Sequence, residues 1–188
     1  LQDEEYNKVY LDGSSGTGLG QGQCYDNETE ILTNEGWKHF ADLNGDEKVM
    51  TLNAETGEKE WQKPKEHQKF EHNGEMYRID SDEGELVVSP KHKVYASVDG
   101  NNFELMPITR AYYFISEDKE IYFLDSENKS IKIESIEKKN YDGKIYGVDV
   151  ENDIVLVRRN SIVYDENSKI VNKEYEAQLE AFVLADIN

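Results

Sequence analysis

The chain has 188 residues, of which 37% are hydrophobic and 32% are charged, with a formal net charge of −19. That length is enough for one domain with a real core but hardly for two, and no apolar run approaches the ~20 residues of a membrane span. The negative charge argues against nucleic acid as a direct partner, because its phosphates would be repelled.

The cysteine content and the N-terminus bear on the cellular compartment. The single cysteine excludes an internal disulfide and a cysteine-based zinc site, and it fits a reducing cytosol. Residues 1–5 are acidic and lack the basic and apolar regions of a signal peptide. We therefore expect a cytoplasmic monomer that contacts neither a membrane nor nucleic acid.

Residues 1–23 have the composition of a flank. A strand is predicted over residues 6–11, and residues 12–18 enter a glycine loop that is similar to the start of a phosphate-binding loop. The Gly-Lys-Ser/Thr that grips phosphates does not follow, so a flexible linker is the favoured interpretation.

Short strands separated by turns are predicted from Cys24 to residue 159. The predicted strands cover residues 28–33, 37–40, 48–53, 59–71, 76–80, 85–89, 93–97, 121–124, 131–136, 144–150 and 154–159, with turns at 34–36, 44–46, 55–57, 99–102 and 141–143 and a brief helix at 107–113. Many short strands with few prolines indicate an all-β fold.

A different pattern follows residue 168. Asn172 is a candidate N-cap for a helix over residues 173–185, in which Tyr175, Leu179 and Phe182 fall on one face. A helix with its own apolar stripe after a β domain predicts a second flank.

Cys24 is the first chemically interesting residue. It lies between a glycine-rich run and the first predicted strand of the β domain, so its thiol is well placed to attack the carbonyl of Gln23. The alternative is an inert core cysteine.

Two further segments offer polar chemistry. His92 follows Ser89 between two predicted strands, where the imidazole can donate a proton and the hydroxyl can support a carbonyl oxygen. Asn167 precedes Ser168, and an asparagine can cyclise onto its own carbonyl and cut the chain. The alternatives are a solvated surface histidine and a harmless Asn-Ser loop.

Four segments in this order, 24–33, 86–95, 141–160 and 163–168, resemble the splicing blocks of inteins. Inteins belong to the Hint superfamily, with hedgehog autoprocessing domains and bacterial intein-like domains. The resemblance covers residues 24–167 and implies a mini-intein, because no room is left for a homing endonuclease between His92 and Tyr141. It implies an N-extein flank over 1–23 and a C-extein flank over 168–188.

The resemblance implies a horseshoe-like β fold with short helices, plus the C-terminal flanking helix, that brings both ends of the domain to one cleft. Carried over, Cys24 would attack Gln23 and form a thioester. His92 would protonate the departing nitrogen, and Ser89, where the family often has threonine, would help hold the tetrahedral oxygen.

The later steps follow from the same resemblance. Ser168 would take the acyl group, Asn167 would cyclise, and the ester would rearrange to a peptide that joins Gln23 to Ser168. This is a single-turnover self-processing reaction whose partners are the chain's own flanks, and it needs no metal or cofactor.

The chain departs from the family pattern at three positions. Glu166 and Asp153 stand where histidines are common, and Gly147 stands where an aspartate or cysteine is common. Asp149 and Asp153 are possible substitutes, although strand-edge aspartates are usually solvated. We therefore expect thioester formation to outpace asparagine cyclisation, and a thiol to release residues 1–23.

Two alternatives stay open. A Hint domain could cleave without ligating, although the hydroxyl of Ser168 favours ligation. In the other, the chain is an acidic β-rich binding module in which Cys24 and Asn167 are incidental.

Overall fold

A computed structural model describes residues 10–13, 23–82 and 84–159. Within these ranges the chain forms twelve β-strands, one α-helix and one 3-10 turn. The strands are β1 (Tyr10–Gly13), β2 (Thr29–Thr33), β3 (Gly36–His39), β4 (Val49–Leu52), β5 (Lys59–Gln62), β6 (Glu66–Ser81), β7 (Gly84–Val88), β8 (Lys93–Ser97), β9 (Glu104–Pro107), β10 (Tyr122–Asp125), β11 (Ser130–Asp149) and β12 (Ile154–Arg159). The 3-10 turn is Phe40–Asp42 and the helix α1 is Ile108–Ser116. The predicted all-β class is confirmed.

The strands join into one sheet in the order β3-β2-β4-β12-β1-β10-β11-β6-β7, with β5 paired to β4 and a β8–β9 hairpin attached to β10. Strand β12 lies near the middle of this order, and all six of its residues are buried. Its continuous apolar run, Ile-Val-Leu-Val, before the two arginines fits a strand that is covered on both faces.

A long two-stranded ribbon of β6 and β11 carries the second half of the sheet. The two strands pair from Glu66 with Asp149 to Ser81 with Ile133. The sequence predicted a break in the second strand at residues 141–143, which is wrong, because Tyr141 and Gly143 pair with β6 inside a continuous strand. Conversely, the predicted strand 59–71 is divided around Pro64, which has no N–H for the ladder.

Strand β1 lies inside the sheet, although it belongs to the predicted flank. Tyr10–Gly13 pairs antiparallel with β12 on one side and with β10 on the other, and all four residues are buried. The linker prediction is therefore wrong for Asp12 and Gly13; residues 14–18 lie outside the described ranges. Removal of this segment would leave backbone groups of β10 and β12 without their hydrogen-bond partners, which costs free energy.

Helix α1 begins one residue later and ends three residues later than predicted, and it packs Ile108 and Ala111 into the core. The predicted helix over residues 173–185 lies outside the described residues. Of the part of the chain that the structure describes, no helix is long and apolar enough to cross a membrane.

Candidate active site

Cys24 lies where three strands meet. Its neighbour Tyr25 forms one bridge to Val88 at the end of β7 and another to Tyr146 in β11. The amide of Tyr25 donates to the Tyr146 carbonyl at 2.7 Å, and the return bond is 2.9 Å. These pairings hold the backbone on the C-terminal side of Cys24 and so fix the thiol in place.

The thiol of Cys24 is fully buried in a small apolar cluster with Met76, Val87 and Ile145. Burial raises the pKa of the Cys24 thiol to about 12, because a thiolate is poorly solvated there. Its polar contact is the side-chain oxygen of Gln68, with Sγ 3.8 Å from Oε1. The resting thiol is therefore protonated and donates to Gln68.

The carbonyl of Gln23 packs directly on Gly147. A Cβ added to Gly147 would lie 2.5 Å from the Gln23 oxygen and 3.4 Å from its carbon. The same point is 3.2 Å from Oε1 of Gln68, which pairs with Gly147 across the β6–β11 ladder. A glycine is thus required at this position for the carbonyl to approach the strand so closely.

The nitrogen of the Gln23–Cys24 peptide is also held in place. The Cys24 amide donates to the Ser89 hydroxyl at 3.1 Å, and the Ser89 amide donates to the Cys24 carbonyl at 3.0 Å. Ser89 is fully buried. Its hydroxyl therefore contacts the nitrogen of the Gln23–Cys24 peptide, whereas the sequence led us to expect a contact with the carbonyl oxygen.

His92 is held by a residue of the N-terminal flank. Its Nε2 lies 2.6 Å from Oδ2 of Asp12, and the same oxygen accepts a 2.8 Å bond from the Tyr25 hydroxyl. The Tyr25 ring packs against the imidazole at a centroid distance of 4.8 Å. Because a carboxylate only accepts, Nε2 is the ring nitrogen that donates to Asp12.

Within the described residues, Nδ1 of His92 has no hydrogen-bond partner, although the side chain is fully buried. The backbone links this histidine to Ser89, because the His92 amide donates to the Ser89 carbonyl at 3.0 Å. Burial excludes the alternative of a solvated surface histidine for His92, and Nδ1 is the ring nitrogen available for proton transfer.

Asp149 and Asp153 flank the turn between β11 and β12. The pKa of Asp153 is raised by burial and, next, by the negative charge of Asp149. Asp153 adopts a φ of 65°, a conformation that aspartate tolerates better than most residues. Their proximity is shown, while their part in catalysis stays a prediction.

A cluster of ion pairs anchors the segment after Cys24 to β12. Arg159 bonds Asp26 at 2.9 Å, Glu85 at 3.0 Å and Glu28 at 3.3 Å. The neighbouring Arg158 bonds Glu30 at 2.6 Å. The two arginines at the end of β12 therefore hold the segment that follows Cys24.

The sequence missed Asp12, Tyr25 and Gln68. Asp12 and Gln68 are single polar residues in segments that looked like linker and strand, and no local pattern distinguishes them. Tyr25 adjoins the cysteine, but the sequence gives no sign that its hydroxyl bonds Asp12. Glu166, Asn167 and Ser168 lie outside the described residues.

No family model matches the chain. It is 33% identical over 83 residues to the ATP-dependent Clp protease proteolytic subunit of Chlamydomonas moewusii, which covers 44% of this chain. It is 38% identical over 56 residues to the ribonucleoside-diphosphate reductase subunit beta of Aquifex aeolicus, which covers 30% of this chain. The chain spans 8% of the length of each relative.

Solved structures of inteins are similar to this fold. The gp41-1 intein matches with a TM-score of 0.53 and 20% identity, covering 74% of this chain and 99% of that one. The intein-like domain from Clostridium thermocellum matches at 0.55 and 17%, covering 73% and 98%. The DnaB intein from Synechocystis matches at 0.53 and 14%, covering 75% and 100%. The chain therefore has the fold of the inteins.

Proposed function

We propose that this chain is a mini-intein that excises residues 24–167 and ligates Gln23 to Ser168. The observation that carries the proposal is the state of the Gln23–Cys24 peptide. Its carbonyl is pressed against Gly147, its amide is bonded to Ser89, and the thiol of Cys24 is buried beside it. An inert core cysteine would need neither the contact with Gly147 nor the bond to Ser89.

The first step is an isomerisation that balances without a co-reactant. The Cys24 sulfur forms a bond to the Gln23 carbonyl carbon, and the bond from that carbon to the Cys24 nitrogen breaks. The thiol proton leaves the sulfur, and the departing nitrogen gains one proton. His92 is the group to relay it, since its Nδ1 is free among the described residues while Asp12 holds Nε2.

The step is favoured by the position of the reacting groups more than by their acidity. A thiol with a pKa of about 12 is a weak nucleophile near neutrality. Holding sulfur, carbonyl and proton carrier in one water-poor site offsets this by removing the entropy cost of bringing them together.

In the later steps Ser168 oxygen replaces the Cys24 sulfur on the acyl carbon, and the thiol is released. The Asn167 side-chain nitrogen then attacks its own backbone carbonyl, and the bond to the Ser168 nitrogen breaks. The freed amine takes the acyl group from the Ser168 oxygen, which leaves a normal peptide.

The two curated relatives support this proposal. Their names describe unrelated activities, a protease subunit and a reductase subunit, yet each shares a short stretch with this chain. An element inserted into different hosts would produce this pattern. Its partners would be its own flanks, and a reducing compartment such as the cytoplasm would keep Cys24 as a free thiol.

Intact-mass spectrometry over time tests the function. The proposal expects a ligated product of residues 1–23 and 168–188, together with the excised domain. Cys24→Ala should abolish ligation, and Asn167→Ala should stop C-terminal release. Separated flanks without the ligated product would assign the chain to self-cleavage instead, and an unchanged mass would favour the binding-module alternative.

A further inference from the structure

The geometry points to Gln68 as a catalytic residue of the first step, one that orients the Cys24 thiol and donates to the oxygen of the Gln23 carbonyl as negative charge forms there. This inference rests on the proposed function and adds a residue to it. Gln68 lies in β6, far from both ends of the domain sequence, and nothing in its local pattern marks it.

The first argument is contact with the nucleophile. Gln68 Oε1 lies 3.8 Å from Cys24 Sγ, a hydrogen-bond distance for sulfur. The neighbours that form the cluster around the sulfur, Met76, Val87 and Ile145, are apolar. The carboxamide therefore fixes the direction of the S–H bond, and with it the lone pairs that attack.

The second argument is an unused donor. Gln68 is 8% exposed, and its Nε2 has no hydrogen-bond partner among the residues that the structure describes. A buried N–H₂ without a partner costs about 1–3 kcal/mol, and an oxyanion that forms only during the reaction would satisfy it. The scissile carbonyl is the acceptor at hand, because it and Gln68 approach the same point above Gly147.

The third argument is space. Gly147 has no side chain, and Gln68 is its register partner on the neighbouring strand. Gln68 Oε1 comes within 3.2 Å of the place that a side chain on Gly147 would take. Gln68 of β6 thus supplies a polar group at the place where Gly147 of β11 has no side chain.

The test uses the full chain with Asn167→Ala, so that only the first junction reacts, and measures cleavage of the Gln23–Cys24 bond by hydroxylamine with mass spectrometry under denaturing conditions. Gln68→Leu keeps the size of the side chain and removes both polar atoms. We expect cleavage at least tenfold slower, because one lost oxyanion donor costs about 10²- to 10³-fold in enzymes. Gln62→Leu, in β5, is the matched control and should leave the rate unchanged.

Gln68→Glu separates catalysis from packing. It keeps an acceptor for the thiol but adds a titrating group, so its rate should acquire a new dependence on pH that Gln68→Leu lacks. Equal rates for the parent and Gln68→Leu would overturn the role of Gln68 while leaving the proposed function intact. A parent in which hydroxylamine does not cleave the Gln23–Cys24 bond would overturn the proposed function itself.

Discussion

Nε2 of His92 lies 2.6 Å from Oδ2 of Asp12, and both side chains are fully buried although 80 positions separate them in the chain. Asp12 belongs to the N-terminal flank, which the proposed splicing reaction would separate from the domain. His92, the proton carrier of the proposed reaction, is thus oriented by the flank that the reaction detaches. The contact between His92 and Asp12 lasts only while β1 stays in the sheet.

Replacing Asp12 should impair the first step. Asp12→Asn substitutes a neutral amide for the acceptor of His92 Nε2, so the imidazole loses its fixed tautomer. We expect hydroxylamine-driven cleavage of the Gln23–Cys24 bond, measured by mass spectrometry under denaturing conditions, to slow about tenfold or more, in line with the usual size of an acid–base contribution. Asp125→Asn is the control, since Asp125 is equally buried and lies in β10; a comparable slowing there would show a loss of fold rather than of orientation.

Cleavage at the first junction should not by itself free the N-terminal fragment. Tyr10–Gly13 pairs with strands on both sides and is buried, so residues 1–23 should stay bound after the Gln23–Cys24 bond is cut. Size-exclusion chromatography of the cleaved protein should show co-elution in buffer and separation in denaturant. The simple release expected from the sequence would instead give a free fragment in buffer.

Gly147 should tolerate no side chain. An added Cβ would meet the Gln23 oxygen at 2.5 Å, so Gly147→Ala must displace the scissile carbonyl. We expect a loss of about 1–3 kcal/mol in the free energy of unfolding, typical of overpacking, and a much slower first cleavage. The control is Gly74→Ala in β6, where the nearest atom would be 3.7 Å away. Equal behaviour of the two variants in urea unfolding and cleavage would contradict the contact.

The first step should accelerate with pH. Because burial raises the pKa of Cys24 to about 12, the thiolate fraction grows about tenfold per pH unit throughout the neutral range. We expect the rate of cleavage by saturating hydroxylamine to rise with that slope and to show no plateau up to about pH 9. A plateau near pH 8 would indicate an ordinary thiol.

The same shift predicts a change in stability. A thiol whose pKa is raised by folding binds more protons in the folded state than in the unfolded state between its two pKa values. The contribution of the Cys24 thiol to the free energy of unfolding is therefore fully present below the unfolded pKa of about 8.5. It is lost as the pH rises towards about 12. The difference in free energy of unfolding between the parent and Cys24→Ala should shrink over this window in urea titrations, and a constant difference would contradict the burial of the thiol.

The sequence by itself determined the class of fold, the strand at residues 93–97 and the order of the segments that form the site. Alternating apolar residues and turn-forming glycines and asparagines act over a few residues, so they are visible without the fold. The same local signals placed a turn at residues 141–143, where pairing with β6 keeps the strand continuous.

Only the tertiary structure decided which side chains meet at the junction. The contacts of His92 with Asp12 and of Gln68 with Cys24 and Gly147 join residues that are 44 to 80 positions apart. They depend on the register of β6 against β11 and on the insertion of β1 beside β12. A one-residue slip in either pairing would turn these side chains to the opposite face, and no local pattern in the sequence encodes that choice.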